Sequence, residues 1–155
     1  MLDAAYDGDF ADEDWRHACG GTHVWIEHEG IPVCHASVVR RRFECAGRAL
    51  DVGYVEAVAT IASRRREGLA TAAMRRIADE IAAHHALGAL STGEHAFYAR
   101  LGWERWLGPT AVDGPDGRMR TPEDDDGIMI LRTPATRSLD PHGTIVCDWR
   151  DGDVW

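Results

Sequence analysis

Arg64-Arg65-Arg66-Glu67-Gly68-Leu69-Ala70 offers the first chemistry that this sequence can do. A helix that begins near Gly68 leaves several backbone N–H groups unpaired and presents the positive end of its peptide dipoles. A phosphate docks readily there, and a glycine has no Cβ to hold it off the backbone. The elements that must position this turn lie on either side of it. Tyr54 to Thr60 is mostly apolar with β-branched and aromatic residues, which suits a buried strand. From Leu69 the period changes: Leu69, Ala73, Ile77 and Ile81 recur every fourth position beside Ala70 and Met74, while Arg75, Arg76, Asp79 and Glu80 fall elsewhere on the wheel. The spacing predicts a strand, a basic turn and an amphipathic helix running toward Ala86. On these residues alone, a solvated basic turn is the competing reading.

The chain has 155 residues, 45% of them hydrophobic and 28% charged, which fits one domain over 1–155 with a sizeable core. Its net charge of -9 argues against nonspecific nucleic-acid binding and favours a small cationic partner. No apolar run approaches the ~20 residues of a membrane helix, and no basic-then-apolar export signal opens the chain. We therefore expect a cytoplasmic protein with neither a membrane nor a nucleic acid as partner. Cys19, Cys34, Cys45 and Cys147 lack the spacing of a zinc site or a redox pair and read as core residues or free thiols. His84 and His85 are adjacent on a helix and point apart, so no metal is expected.

In chain order, Leu2, Ala5 and Tyr6 share a helical face that Gly8 ends, and Asp12 N-caps a second short helix stopped by Gly20-Gly21. His23 to Glu27 and Val33 to Val39 read as strands turning at Glu29-Gly30, and Arg48 to Val52 leads into the central strand. After the long helix, Gly88 to Ser91 is a strand candidate. Residues 108–127 read as loop, with Gly-Pro and Gly-Pro-Asp-Gly turns and the acidic run Glu123-Asp124-Asp125-Asp126. Ile128 to Leu131 and Thr144 to Asp148 are strands. Two tryptophans among three aspartates at the end predict a tail that docks on the domain.

Two stretches carry a resemblance. Arg65-x-x-Gly68-x-Ala70 after a strand resembles the pyrophosphate loop of the GNAT acetyltransferase superfamily, and Phe97-Tyr98-x-x-x-Gly102-Trp103 resembles its second hallmark. Asp9-Phe10, Asp14-Trp15, Gly53 to Glu56, Leu87 to Ser91, Gly108-Pro109-Thr110, Thr121-Pro122 and Cys147-Asp148-Trp149-Arg150 through Trp155 extend the likeness, end to end, to the aminoglycoside 2′-N-acetyltransferases. The resemblance implies an α/β (α+β) GNAT fold, a central, mixed, mostly antiparallel sheet flanked by helices. It implies acetyl-coenzyme A as cosubstrate and the 2′-amine of aminoglycoside antibiotics as acceptor, a modification that gives resistance.

By the same resemblance Glu56 accepts the amine proton through a water and Tyr98 protonates the departing sulfur. Backbone groups along Val58, Ala59 and Thr60 pair with the pantetheine arm, residues Arg65, Arg66, Glu67, Gly68, Leu69, Ala70 and Thr71 hold the pyrophosphate, and Ser91 also meets the cofactor. The acceptor meets Asp9, Asp14, Glu56, Ala57, Asp126 and the terminal carboxylate of Trp155. Converging carboxylates suit a polycation electrostatically, because a unit pair at ~4 Å is worth about 4 kcal/mol at an effective dielectric near 20, before desolvation. The resemblance implies a first strand and most of a helix before the point that matches Met1, so either the sequence is truncated or mis-started, or the open edge of the strand that follows is paired by other means, such as the second subunit of a homodimer. Two other readings stay open: a GNAT enzyme for another amine (polyamine, metabolite or protein N-terminus), or a noncatalytic module that binds coenzyme A or the drug.

Overall fold

The computed structural model describes residues 1–6, 8 and 10–155. After two short helices, α1 (Leu2–Ala5) and α2 (Asp12–Ala18), the chain enters one nine-stranded sheet. β1 (Thr22–His28) and β2 (Ile31–Cys45) are joined by Glu29-Gly30, both at positive φ, 52° and 76°. Ala46-Gly47 repeats that geometry, 50° and 79°, between β2 and β3 (Arg48–Thr60). Two-residue turns of this hand match the right-handed strand twist, so both hairpins close tightly. The strands expected at 33–39 and 48–52 are thus parts of much longer ones, because each runs on through residues that are buried on both faces of the sheet.

The remaining elements are α3 (Leu69–His84), β4 (Leu87–Ser91), α4 (His95–Ala99), β5 (Glu104–Arg105), β6 (Thr110–Gly114), β7 (Gly117–Arg120), β8 (Ile128–Arg132) and β9 (Ile145–Asp148). The sheet order is β5-β8-β4-β3-β2-β9-β6-β7, with β1 beside the first half of β2. Among the described residues only β3/β4 and β6/β9 pair in parallel, so the sheet is mixed and mostly antiparallel, as expected. The region expected to be loop, 108–127, instead contains the β6/β7 hairpin and a 3-10 turn at Pro122–Asp124. β7 is exposed along its whole length and therefore lacks the apolar alternation that marks a half-buried strand.

Two packing layers hold the sheet. Ala73, Met74, Ile77 and Ile81 of α3 are buried against one face, with Trp103 and Met129; burying each isoleucine stabilises by about 1.5–3 kcal/mol. Phe43, Tyr54, Trp106, Ile130 and Trp155 fill the other. Gly53 and Gly88 stand opposite one another in the parallel pair. A Cβ on Gly53 would lie 2.7 Å from the His85 ring and one on Gly88 2.9 Å from Ile81, so the bare pair is what lets α3 pack this close. The β3/β4 pairing covers only Val52↔Leu87 to Tyr54↔Ala89. Beyond it both strands continue, and a cleft opens between them. No helix among the described residues is long and apolar enough to cross a membrane.

Candidate active site

The outer part of the cleft begins where β3 ends. The 3-10 turn Ala62–Arg64 and Arg66 at φ 68° fold the arginines around Gly68, whose φ of 82° is the left-handed conformation that suits glycine. The first bond closing α3 runs from the Ala72 N–H to the Gly68 carbonyl, which leaves the preceding amides of that turn free to face outward. They border a cavity of about 620 Å³ lined by Val58, Thr60, Arg64, Arg65, Arg66, Gly68, Leu69, Ala70 and Thr71 on one side and Glu94, Phe97, Tyr98 and Arg100 of the α4 segment on the other. Three arginines and a helix start make this wall electropositive, and Arg100 faces it from the other side.

The inner part is a second cavity, about 350 Å³, lined by Tyr6, Tyr54 to Val58, Leu90, Ser91, Thr92, Glu94, Tyr98 and Trp155. Val58, Glu94 and Tyr98 belong to both cavities and form the wall where they meet. Glu56 is nearly enclosed, with its side chain 15% exposed, and it is ion-paired with Arg150. Burial pushes its carboxyl above the ordinary carboxylate value, and the nearby Arg150, Arg41 and His17 offset that only in part. Burial also raises the Tyr98 phenol, with Tyr6 and Glu94 adding to it, so Tyr98 keeps its proton well into the basic range. The Tyr6 phenol is pushed up to about 12 by burial, then by Glu56 and Asp14, and its hydroxyl donates to the Val58 carbonyl at 3.1 Å.

The tail forms the floor of the inner cavity. Arg41, nearly buried, donates from Nε to Asp148 at 2.9 Å and from Nη1 to the Val154 carbonyl at 2.7 Å. Arg150 donates to the Asp153 carbonyl at 2.6 Å and to an oxygen of the terminal carboxylate of Trp155 at 3.3 Å, besides pairing with Glu56. Both guanidinium groups lie over the Tyr54 ring, at 5.0 and 5.5 Å. Trp155 packs edge-on to Phe43, and its indole N–H donates to the Thr121 hydroxyl at 2.9 Å. The expected docking is therefore made by Trp155, whereas Trp149 is 43% exposed.

Most of the residues singled out in the sequence meet at this cleft. Glu56, Ala57, Val58, Ser91, Tyr98 and Trp155 line the inner cavity, and Val58, Thr60, Arg65, Arg66 and Gly68 to Thr71 line the outer one. Ser91 thus lies on the Glu56 side. Ala59 is buried in β3, and Glu67 is paired with Arg64 at 2.7 Å. Asp14 accepts from the Ala11 N–H at 2.8 Å at the start of α2 and lies near Tyr6. Asp126 is not brought to the cleft: its side chain is 97% exposed and pairs with Arg105. Asp124 of the same run is the one that feels the tail, its carboxyl raised by burial, then by Glu123 and Asp153. Asp9 lies outside the described residues. Sequence reasoning gave no site role to Arg150, Tyr6, Tyr54 or Arg100; the first entered only as part of the terminal stretch that carries the resemblance, a basic residue inside an acidic tail.

Against known proteins, the sequence model of the acetyltransferase (GNAT) domain matches residues 6–106. An aminoglycoside 2′-N-acetyltransferase of Mycolicibacterium fortuitum is 48% identical over 159 aligned residues, spanning 100% of this chain and 82% of that protein. The GNAT family N-acetyltransferase YhbS of Escherichia coli, solved in complex with CoA, matches with a TM-score of 0.60 at 17% identity over 87% of this chain and 72% of that one. Eis1 from Mycobacterium abscessus matches at 0.60 and 20% identity over 71% of this chain, which spans only 29% of that larger protein. The structural likenesses bear on the fold, the sequence likeness on the lineage. Together they place the chain in the GNAT acetyltransferase family, among the aminoglycoside 2′-N-acetyltransferases.

Proposed function

We propose that this protein moves the acetyl group of acetyl-coenzyme A to the 2′-amine of an aminoglycoside, a modification that would inactivate the antibiotic. The observation that carries the reading is the shared wall: Tyr98 and Val58 stand between an electropositive cavity at a helix start and an enclosed cavity that holds Glu56. Coenzyme A suits the first, its pyrophosphate on the amides and arginines near Gly68 and its pantetheine arm along Val58 to Thr60. Its thioester then reaches Tyr98 and Glu56. A polycationic acceptor suits the second, with Glu56, Asp14 and the tail around it.

The amine must lose a proton to attack. Glu56 takes it, directly or through one water, and the nitrogen lone pair forms a C–N bond to the thioester carbonyl carbon. When the tetrahedral centre collapses, the C–S bond breaks, the sulfur takes the Tyr98 proton, and the second proton of the bonded nitrogen passes to the tyrosinate, leaving a neutral amide. The raised Glu56 carboxyl makes it a better base than a free carboxylate, and the raised Tyr98 phenol ensures that a proton is there to give. No metal is needed for this sequence of steps.

The reading includes a cytoplasmic homodimer. Among the described residues β1 pairs only with β2, and Trp25 and Ile31 near that edge are 42% and 64% exposed, a surface that a second copy would cover. Sedimentation at micromolar concentration tests this, with a monomer as the contrary result. For the reaction, acetyl transfer to aminoglycosides with a 2′-amine is compared with transfer to matched compounds bearing a 2′-hydroxyl. Selective acetylation of the amine is expected; equal acetylation of both counts against the 2′ assignment.

A further inference from the structure

β3 carries an extra residue where it passes Glu56. His35 pairs with Ala59, but Ser37, two residues on, pairs with Glu56, three residues back. The surplus residue bulges out of the ladder between them. Ala57 sits in this bulge at φ 52°, a left-handed conformation that disfavours any side chain. Something must hold it there, and the flanking residues are Glu56 and Val58.

We propose that His35 is the positioning residue for this site, pinning the bulge that aims Glu56 and Val58 into the cleft. Its ring is fully buried, and Nδ1 lies 2.7 Å from the Ala57 carbonyl oxygen. A carbonyl can only accept, so Nδ1 carries the hydrogen, and burial, which lowers the imidazole below its ordinary value, keeps the ring neutral and leaves a lone pair on Nε2. That lone pair faces His23 Nδ1 at 2.9 Å, which therefore donates. The tautomers of both rings are fixed by the direction of one backbone carbonyl. Trp25, with its ring centroid 4.1 Å from that of His35, and Trp15, at 6.2 Å, keep the imidazole from swinging away. The neighbouring turn of β3 is held the same way, by the Ser37 hydroxyl donating to the Glu56 carbonyl at 3.0 Å. His35 touches neither reacting group; it acts through Ala57.

The inference rests on the acetyltransfer reading and is tested separately from it. The parent enzyme must first bind acetyl-coenzyme A and acetylate a 2′-amine; if it does not, that reading fails and His35 is not at issue. In the active parent, His35→Asn places an amide nitrogen near the position of Nδ1, whereas His35→Gln places one near Nε2. Asn is therefore expected to keep most of the parental kcat, and Gln to lose about tenfold or more, the loss of one buried hydrogen bond to a strained turn. Circular dichroism and the melting midpoint are read alongside. A merely structural role predicts the reverse order, since Gln fills the histidine volume better than Asn. Ala57→Gly removes the penalty of the left-handed turn, so His35→Gln/Ala57→Gly is expected to recover several-fold in kcat over His35→Gln. Parental kinetics for His35→Gln, a greater loss for Asn than for Gln, or no recovery in the double variant would each overturn the proposal.

Discussion

The two halves of the cleft are built from different materials. The outer half is made of one continuous stretch, Val58 to Thr71, whose backbone direction matters more than its side chains, with Tyr98 and its neighbours across from it. The inner half is assembled from Tyr6, Glu56, Ser91, Tyr98 and Trp155, which are far apart in the chain, and it depends on Arg150 holding Glu56, Thr121 holding Trp155 and Tyr6 holding the Val58 carbonyl. A half built from backbone can be read from a short motif and tolerates changes of side chain. A half built from side chains depends on the whole fold and fails when one contact is removed.

That contrast can be broken by variants on each side. The largest effect is expected at Glu56→Gln, which removes the base and should lower kcat by ~10²- to 10⁴-fold while coenzyme A affinity, measured by calorimetry, stays parental. Tyr98→Phe removes the acid from the shared wall and should cost about 10²-fold in kcat. Since burial holds the Tyr98 phenol high, the parent should show no loss of activity from this group up to about pH 9 in a kcat profile. On the outer side, Gly68→Ala meets no neighbouring atom but must adopt φ 82°. A strain of about 1–2 kcal/mol should raise KM for acetyl-coenzyme A by roughly five- to thirtyfold, with kcat at saturation kept.

Smaller effects sharpen the comparison within the inner half. Thr121→Val leaves the Trp155 indole N–H without its acceptor and should destabilise by about 1–3 kcal/mol, seen as a lower midpoint in urea, and raise KM for the acceptor only. Arg150→Met leaves the burial of Glu56 unopposed by its main cation. The carboxyl then rises further above its ordinary value, so the acid limb of the kcat/KM profile should move to higher pH, with activity at neutral pH changed least. An unmoved limb would mean that Arg150 does not face the working form of Glu56.

The sequence signals were strongest where structure is local. The strand, basic turn and helix from Tyr54 to His84 fold as their periodicity requires, with Ile77 and Ile81 inside and Gly68 at the helix start. The β6/β7 hairpin was hidden because Gly117 to Arg120 has no buried face, so its pairing comes from neighbours in space. Within the acidic run, composition could not separate Asp126, turned outward to Arg105, from Asp124, partly buried and within the field of Asp153, since a loop has no period to sort its faces. Nor could it show that His35 reaches the Ala57 carbonyl, a contact made only once β2 and β3 pair with a surplus residue.

By itself the sequence determined a phosphate-ready helix start, from short-range spacing, and, through a likeness that runs along the whole chain, the family and the carboxylate and phenol that the resemblance implies for acetyl transfer. Only the tertiary structure decided which acidic groups share the cleft, that Arg150 lies on Glu56 and that a buried imidazole holds the bulge between the two cavities. Those depend on strand register and on burial, and both are properties of segments brought together from distant parts of the chain.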